Sequence, residues 1–325
     1  MLQPYQELEK KWAEYCGTAY AVSVNTGTAG LTLALRALNI GEGDEVIVPE
    51  FSMIAAAWSV SYNGATPIFV DCGADLNIDV TKIEEAISEN TKAIMPVHVY
   101  GRVANMDAIN KIAKDYNLFV IEDACEAHGA TYNGKKTGSL GDVGVFSLYR
   151  NKIIQSEEGG LITTNDKRLY EQMQDLKSMS FGSEHNYLHK KVGFNFRMTN
   201  MQATMALQEL KNIDKYNEKR QQVREWYDEF FADKTLPRPA GSVVWVYDML
   251  VDGNKNELVE HLNELGIAAR HFFRTMSEQP MYYDESFEYL LANEYSQKGL
   301  YLPVHHSMTK KDVGLIAAQI QNFYE

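Results

Sequence analysis

Cysteine is scarce in this sequence, and no apolar run is long enough to cross a membrane. The three cysteines, Cys16, Cys72 and Cys125, are an odd number and lack the spacing of a metal site. They predict reduced thiols in a cytosolic protein that binds no metal. The N-terminal stretch MLQPYQELEKKWAEY is charged, unlike a secretory signal. We therefore expect a cytoplasmic protein with no membrane segment.

Positive charge is also in short supply. The chain has 31 Lys and Arg residues against 44 Asp and Glu residues, which gives a formal net charge of −13. Such a surface argues against nucleic acid or an anionic membrane as partner. Any phosphate group on a substrate or cofactor must therefore be bound through a few local contacts.

Short apolar, β-branched runs alternate with helical patterns between residues 19 and 165. Four such runs each precede a helical pattern: AYAVSV, DEVIVP, TPIFVD and TKAIMPVHVYG. The helical pattern after the third run is VTKIEEAIS. Two further apolar runs follow, LFVIEDA and GDVGVFSL. This order predicts βαβ units, and hence an α/β fold with a mostly parallel sheet covered by helices. Functional residues in such sheets gather beyond the carboxyl ends of the strands.

A smaller domain is predicted to follow. One long helical pattern runs over residues 198–231, and the Pro- and Gly-rich stretch LPRPAGS comes after it. VVWVYDMLV, KNELVEHLNELG and KKDVGLIAAQIQ then indicate an α+β unit. We predict a large α/β/α domain over residues 1–232 and a small C-terminal domain over residues 233–325.

The stretch NTGTAG, residues 25–30, joins a strand to a helix. Small residues there let the backbone approach a phosphate, and free amides at a helix N-terminus favour an anion. The alternative is that Thr28 is a plain helix cap. The stretch is neither G-x-G-x-x-G nor a P-loop, so it does not indicate a dinucleotide or ATP.

The stretch VIEDACEAHGA places Asp123 at the end of a hydrophobic strand, where an unpaired carboxylate is unfavourable. A structural salt bridge or a cap would satisfy it. The functional alternative is a carboxylate that holds a cationic heterocyclic nitrogen. Glu126 and His128 follow on the same turn and can reach the same cavity.

Lys152 comes just past another strand end, in GDVGVFSLYRNKIIQSEEGG. Most lysines are solvated surface residues, as Lys111 and Lys114 on a helical polar face are expected to be. A lysine that is desolvated beside a cofactor can instead supply the neutral amine for a Schiff base. A phosphate cradle, a strand-end Asp and a strand-end Lys, in that order, match the needs of pyridoxal phosphate.

Seven blocks of the sequence resemble the DegT/DnrJ/EryC1/StrS sugar-nucleotide aminotransferases, which are fold type I enzymes that use pyridoxal phosphate. In order, these blocks are VNTGTAGL, GDEVIVP, GATPIFVD, IMPVHVYG, IEDACEAHGA, GDVGVFSLYRNKIIQSEEGG and GFNFRMTNMQA. The resemblance extends to GIAARHFFRTMSEQPMY and GLYLPVHHSMTKKDVGLI, and thus covers nearly the whole chain.

The resemblance implies a role for each matching residue. Lys152 corresponds to the lysine that bonds to the cofactor aldehyde, Asp123 to the partner of the pyridine nitrogen, and Glu126 to a position near the phenolic oxygen. Asn195 corresponds to an asparagine that reaches the cofactor phosphate of the neighbouring subunit, which implies a homodimer with composite active sites. The implied cofactor-binding set is Gly27, Thr28, Ala29, Met53, Asp123, Glu126, Ser147, Lys152 and Asn195, with Thr28, Ala29 and Ser147 at the phosphate.

The chain departs from the family pattern at several positions. Met53 stands where an aromatic ring usually stacks on the pyridine, and Phe51 is the nearby substitute. Glu157 replaces the first glycine of the usual GEGG. Family members also commonly carry a segment with the sequence SGW ahead of the point where this chain begins, so we expect that wall of the pocket to differ.

The implied reaction is transfer of an amino group from L-glutamate to a nucleotide-linked 4-keto-6-deoxy sugar. The RHFFRTMSEQPMY block and Glu126 resemble those of family members that form perosamine, and this resemblance implies GDP-4-keto-6-deoxymannose as substrate, aminated at C4 to GDP-perosamine. Arg197 and Arg270 are the candidate substrate ligands, because a guanidinium group can donate two parallel hydrogen bonds to phosphate or carboxylate oxygens. The alternative for each residue is a structural salt bridge.

Three alternatives remain. The first is a UDP- or dTDP-linked substrate, or a 3-keto sugar. The second is a sugar 3-dehydratase, against which Lys152 argues because that class carries histidine there. The third is a non-catalytic regulator that binds pyridoxal phosphate.

Overall fold

A computed structural model describes residues 2–182, 187–283 and 289–325. Strands and helices alternate through the first half of the chain, as the sequence pattern predicts. The strands, in chain order, are β1 (Tyr20–Val24), β2 (Glu45–Pro49), β3 (Thr66–Val70), β4 (Thr91–Ile94), β5 (Phe119–Asp123), β6 (Thr131–Tyr132), β7 (Lys135–Lys136), β8 (Val143–Ser147), β9 (Gly160–Thr164), β10 (Tyr247–Leu250), β11 (Arg270–His271) and β12 (Gly299–Leu302). The α-helices are α1 (Pro4–Cys16), α2 (Gly27–Ala37), α3 (Ala55–Tyr62), α4 (Met106–Tyr116), α5 (Lys167–Leu176), α6 (Asn200–Leu210), α7 (Ile213–Phe231), α8 (Lys255–Glu264), α9 (Leu290–Lys298) and α10 (Lys310–Tyr324).

The main sheet has seven strands in the order β1-β9-β8-β5-β4-β2-β3. Strand β9 is antiparallel to both of its neighbours, and every other pairing in this sheet is parallel. The predicted mostly parallel sheet is therefore confirmed. The carboxyl ends of β1, β5 and β8 consequently meet at one edge, although long stretches of sequence separate them.

Helix α2 packs closely against this sheet at Gly30. A Cβ atom on Gly30 would lie 2.7 Å from Val145 Cγ1, so a larger residue would push α2 away from β8. The strands β1, β8 and β9 are almost wholly buried between helices, which explains their continuous apolar character.

The structure differs from the sequence pattern at two predicted helices. Residues 80–86 form two 3-10 helices, because Ile83 is the one buried residue in this stretch and little apolar surface is gained by a longer helix. The pattern over residues 198–231 is divided into α6 and α7. The break lies at Asn212, whose side chain donates to the Gln208 carbonyl and so competes with helical hydrogen bonding.

The C-terminal part contains the antiparallel sheet β10-β12-β11 and a second apolar core. Helix α7 spans both cores, since Ile213 packs in the first and Val223, Tyr227 and Phe231 pack in the second. The division at residue 232 thus follows the end of a shared helix, and it remains a prediction. In the described ranges, no helix has the length and apolar character of a membrane span.

Candidate active site

A cavity of about 970 Å³ opens beyond the carboxyl ends of the parallel strands. Both parts of the chain contribute to its wall. Of the residues singled out in the sequence, those that line it are Gly27, Thr28, Met53, Asp123, Glu126, Ser147, Lys152 and Arg270. Ala29, Asn195 and Arg197 are not among its lining residues.

The N-terminus of α2 forms one end of the cavity. Thr26, and not Thr28, caps this helix, because the Thr26 Oγ1 accepts a hydrogen bond from the Ala29 amide at 3.0 Å. The interpretation of Thr28 as a plain cap is therefore wrong. The Ala29 amide is engaged by this bond, whereas the Gly27 and Thr28 amides lie in the first turn, where helices lack internal acceptors.

Gly27 makes this end of the cavity compact. A Cβ atom there would lie 2.9 Å from the Ser147 Cβ, so glycine allows α2 to begin against the end of β8. Gly27, Thr28 and Ser147 line this end of the cavity, at the positive terminus of the helix. Such a helix terminus suits a phosphate group.

Asp123 is the last residue of β5 and is almost fully buried at the cavity wall. Its Oδ1 accepts a hydrogen bond from the Cys125 amide at 3.0 Å. Within the ranges that the structure covers, no cationic side chain forms an ion pair with Asp123. The interpretation as a structural salt bridge thus finds no partner, whereas the interpretation as a cap is met at Oδ1 by the Cys125 amide. The carboxylate can still bind a cationic nitrogen in the cavity.

Lys152 lies five residues beyond the end of β8, with 11% of its side chain exposed. Its Nζ is 3.4 Å from Glu126 Oε1 and 4.0 Å from the centre of the Trp245 ring. This position inside the cavity differs from that of Lys111, which is exposed on α4. Lys152 is therefore not a solvated surface residue.

Glu126 is held from two directions. Its Oε2 accepts the Tyr100 amide at 2.9 Å, and its Oε1 faces Lys152. Burial raises the pKa of the Glu126 carboxyl, although the nearby Lys152 partly offsets this effect. The backbone turns sharply at Tyr100, which has a φ of 52°. The next residue must be small, because a Cβ on Gly101 would clash with the Val243 carbonyl.

His128 lies beneath the site and not in its wall. Its Nε2 donates to the Ser147 carbonyl at 2.8 Å, and its ring packs against Trp12 and Phe146. Burial is the main cause that lowers the pKa of His128 to about 3, so the ring is neutral at physiological pH. The expectation that His128 reaches the cavity is not met. It supports Ser147 instead.

The position expected to stack on a cofactor ring is occupied by Met53. Its side chain lies in the cavity wall with 48% of the residue exposed. Phe51 does not substitute for it, because Phe51 is fully buried among Tyr100, Phe272 and Phe273. The Met53 thioether, and not the Phe51 ring, is therefore the group that the cavity offers for packing on a cofactor ring.

The polar residues proposed for the substrate and the second subunit are exposed. Arg270 lies in β11 at the cavity, while Asn195 and Arg197 lie outside it, and the Asn195 backbone bridges to Ser178. Neither arginine forms an ion pair within residues 2–182, 187–283 and 289–325.

No group of three or more His, Cys, Asp or Glu in these ranges could hold a metal ion.

Apart from Arg270, sequence reasoning missed the residues that the C-terminal part contributes to the cavity. Trp245, Asn263, His271 and Tyr301 line it, and each is far in sequence from Lys152. Trp245 lies within the apolar run VVWVYDMLV, where it has the pattern of an ordinary core residue. The sequence signal therefore could not distinguish it from its neighbours.

The site residues fit pyridoxal phosphate. The compact helix terminus beside Gly27 suits its phosphate, the Asp123 carboxylate suits its ring nitrogen, and the buried Lys152 amine suits its aldehyde. The cavity volume leaves room for a second, larger molecule beside it.

Comparison with known proteins gives consistent results. The model of the DegT/DnrJ/EryC1/StrS aminotransferase family matches residues 3–321. The GDP-perosamine synthase of Caulobacter vibrioides is 43% identical over 327 residues, which cover 97% of this chain and 88% of the relative. The dTDP-3-amino-3,6-dideoxy-alpha-D-galactopyranose transaminase of Aneurinibacillus thermoaerophilus is 43% identical over 235 residues, which cover 72% of this chain and 64% of the relative. The crystal structure of S. venezuelae DesV, at 31% identity, has a TM-score of 0.92 and covers 100% of this chain and 90% of DesV.

Proposed function

The chain belongs to the DegT/DnrJ/EryC1/StrS aminotransferase family, whose members depend on pyridoxal phosphate, and we propose that it aminates C4 of GDP-4-keto-6-deoxymannose to give GDP-perosamine. L-Glutamate is the proposed amino donor. The observation that carries this proposal is the buried Lys152, with Asp123 and the α2 terminus in the same cavity. The similarity to a GDP-perosamine synthase over 97% of the chain supports the choice of substrate.

Each side chain of the site has a proposed task. When bound, pyridoxal phosphate supplies the aldehyde that carries the amino group and a ring that accepts electrons. The Gly27 and Thr28 amides and the Ser147 side chain bind its phosphate. Asp123 keeps a proton on the ring nitrogen, because a buried carboxylate favours the cationic form of a neighbour.

Lys152 moves the proton during the reaction. With the cofactor bound, its Nζ would take the proton that leaves the α-carbon of glutamate and would deliver it to the cofactor carbon that bears the transferred nitrogen, so the amine would end the half-reaction unchanged. Glu126 faces Nζ at 3.4 Å and orients it. The sugar ketone is aminated by the same proton transfers in the reverse direction.

The anionic substrate needs local cations, since the chain carries a net charge of −13. Arg270 lies at the cavity without an ion-pair partner in the described part of the chain, and it is the proposed ligand of the diphosphate. Arg197 is proposed to bind either the diphosphate or the glutamate carboxylate. Because Arg197 lies outside the cavity of its own chain, this role requires a second subunit.

We further propose a homodimer in which Asn195 reaches the cofactor phosphate of the partner subunit. Asn195 and Arg197 are both exposed and near each other in sequence, outside the cavity. A symmetric pair would bring the same segment of each chain to the cavity of the other.

A panel of nucleotide sugars tests the substrate. GDP-, UDP- and dTDP-linked 4-keto-6-deoxy sugars are each supplied with L-glutamate, and NMR locates the nitrogen in the product. We expect the highest kcat/KM for the GDP form and nitrogen at C4. A preference for UDP or dTDP would reject the nucleotide, and nitrogen at C3 would reject the position, while the transamination would stand.

The second candidate is a dTDP-linked or UDP-linked sugar, including amination at C3. The observation that favours it is the 43% identity to the dTDP-3-amino sugar transaminase of Aneurinibacillus thermoaerophilus. A non-catalytic regulator is the third candidate, because Met53 replaces an aromatic ring. A protein that binds pyridoxal phosphate yet gives no 2-oxoglutarate from glutamate would favour the regulator.

A further inference from the structure

Trp245 contacts both the Lys152 amine and the residue before it. The centre of its indole ring lies 4.0 Å from Lys152 Nζ, and its Nε1 donates to the carbonyl of Asn151 at 2.8 Å. Asn151 directly precedes Lys152, so one side chain holds both the Lys152 amine and the peptide group that leads into this lysine. Trp245 is 93 residues distant in sequence and reaches the site only through the tertiary fold.

The indole ring is itself fixed. Trp245 is 5% exposed, and its ring packs against those of Tyr100 and Tyr301, with centres 5.8 Å and 6.1 Å away. Its carbonyl accepts a hydrogen bond from Arg220 Nη1 at 3.0 Å. The ring therefore has little freedom to leave Lys152.

We propose that Trp245 is a positioning residue for the Lys152 amine, an inference that rests on the proposed function of Lys152. The face of an indole attracts an ammonium group and not a neutral amine. Lys152 Nζ lies 4.0 Å from the indole ring centre and 3.4 Å from Glu126 Oε1, so both groups favour the ammonium form that Lys152 takes when it holds the proton from the donor carbon. Trp245 thus stabilises the proton-carrying amine at this position in the cavity wall.

The experiment compares Trp245→Leu with Trp245→Phe. Leucine removes the ring face, whereas phenylalanine keeps a face and loses the Nε1 hydrogen bond. A matched pair exists at Trp226, whose ring lies 4.2 Å from Lys219 Nζ on α7, and Trp226→Leu is the control. Two quantities are measured: the rate at which the apoprotein forms a borohydride-trapped adduct with pyridoxal phosphate on Lys152, and kcat and KM for glutamate.

We expect Trp245→Leu to lower kcat about tenfold, with KM for glutamate changed less than about twofold. Adduct formation should not slow in this variant, because it needs the neutral amine, which the ring face does not attract. Trp245→Phe should retain most of the kcat, and Trp226→Leu should match the parent protein. Equal kcat values for Trp245→Leu and Trp226→Leu would overturn the proposal. So would equal losses in Trp245→Leu and Trp245→Phe, since the ring face would then have no part.

Two further measurements separate the possible failures. The thermal midpoint of each apoprotein shows whether Trp245→Leu is folded, and Trp245→Phe supplies the test if it is not. A parent protein that forms no adduct on Lys152 would reject the proposed function itself. A parent that forms the adduct and transaminates, beside an unimpaired Trp245→Leu, would reject only the role of Trp245.

Discussion

Glu50 and Ser277, which are 227 residues apart, are joined by two hydrogen bonds. The Glu50 Oε1 accepts from the Ser277 amide at 2.8 Å and from its hydroxyl at 2.5 Å. The Glu50 carbonyl also accepts the Met276 amide. These bonds attach the end of β2 to the segment that follows β11, and so connect the two sheets of the site. Burial is the main cause that raises the pKa of Glu50 to about 7, and the Asp71 charge adds to it.

This shift predicts a pH-dependent stability. The pKa of Glu50 is 4.5 in the unfolded chain and about 7 in the fold, so between these values the folded protein retains a proton that the unfolded chain has released. The free energy of unfolding should therefore fall as pH rises through this window, by up to about 3 kcal/mol. Glu50→Gln cannot titrate and should not show this loss.

Urea unfolding at pH 5 and pH 8 measures the difference. The parent protein should lose more stability than Glu50→Gln between the two pH values, because all other groups titrate in both. Parallel losses in the two proteins would contradict the assignment.

Replacement of Lys152 should abolish catalysis. Lys152→Ala loses the amine that carries the proton, and kcat should fall by several orders of magnitude while pyridoxal phosphate still binds non-covalently. Borohydride should fix the cofactor to Lys152 in the parent protein, as read by mass spectrometry of peptides. Lys111→Ala, at an exposed lysine on α4, is the control. An adduct on a different lysine would disprove the assignment.

Asp123→Asn tests the carboxylate in the cavity. An amide cannot hold a proton on the ring nitrogen by charge, so kcat should fall by about two orders of magnitude with little change in unfolding free energy. Asp142→Asn is the matched control, because Asp142 accepts the Val120 amide near the start of β5. Similar activities for the two variants would show that the charge of Asp123 is not used.

Subunit mixing tests the composite site. Lys152→Ala and Asn195→Ala chains, each inactive alone, are unfolded together and refolded. A hybrid dimer has one site with both residues intact, so random mixing should restore about a quarter of the parental activity. Sedimentation of an active monomer, or no recovery in verified hybrids, would rule out the arrangement.

Asp248 is predicted to be essential for stability. It is buried and forms ion pairs with Arg102 at 2.6 Å and with Arg238 at 2.9 Å, and these guanidinium groups hold the pKa of its carboxyl well below the usual range despite burial. Asp248→Asn leaves buried arginines without a counter-charge and should lower the unfolding free energy by about 3–5 kcal/mol. Asp115→Asn, in an exposed pair with Lys111, should change it much less, because solvent screens such a pair. Equal effects in urea titrations would contradict this reasoning.

The sequence alone determined the α/β architecture and the first half of the site. Alternating strand and helix patterns predict parallel strands, and parallel strands bring their carboxyl ends to one edge. Residues at or just past such ends, including Gly27, Asp123 and Lys152, could therefore be grouped before their distances were known. The family resemblance added roles to these positions.

Tertiary structure decided which distant residues complete the site. Trp245 reaches Lys152, and Ser277 reaches Glu50, through contacts whose partners lie far apart in the chain. Periodicity shows that a residue such as Trp245 faces inward, but not which neighbour it meets, because packing between separate elements depends on the whole fold. The break at Asn212 was likewise missed, since a side chain that bonds to its own helix interrupts an otherwise regular pattern.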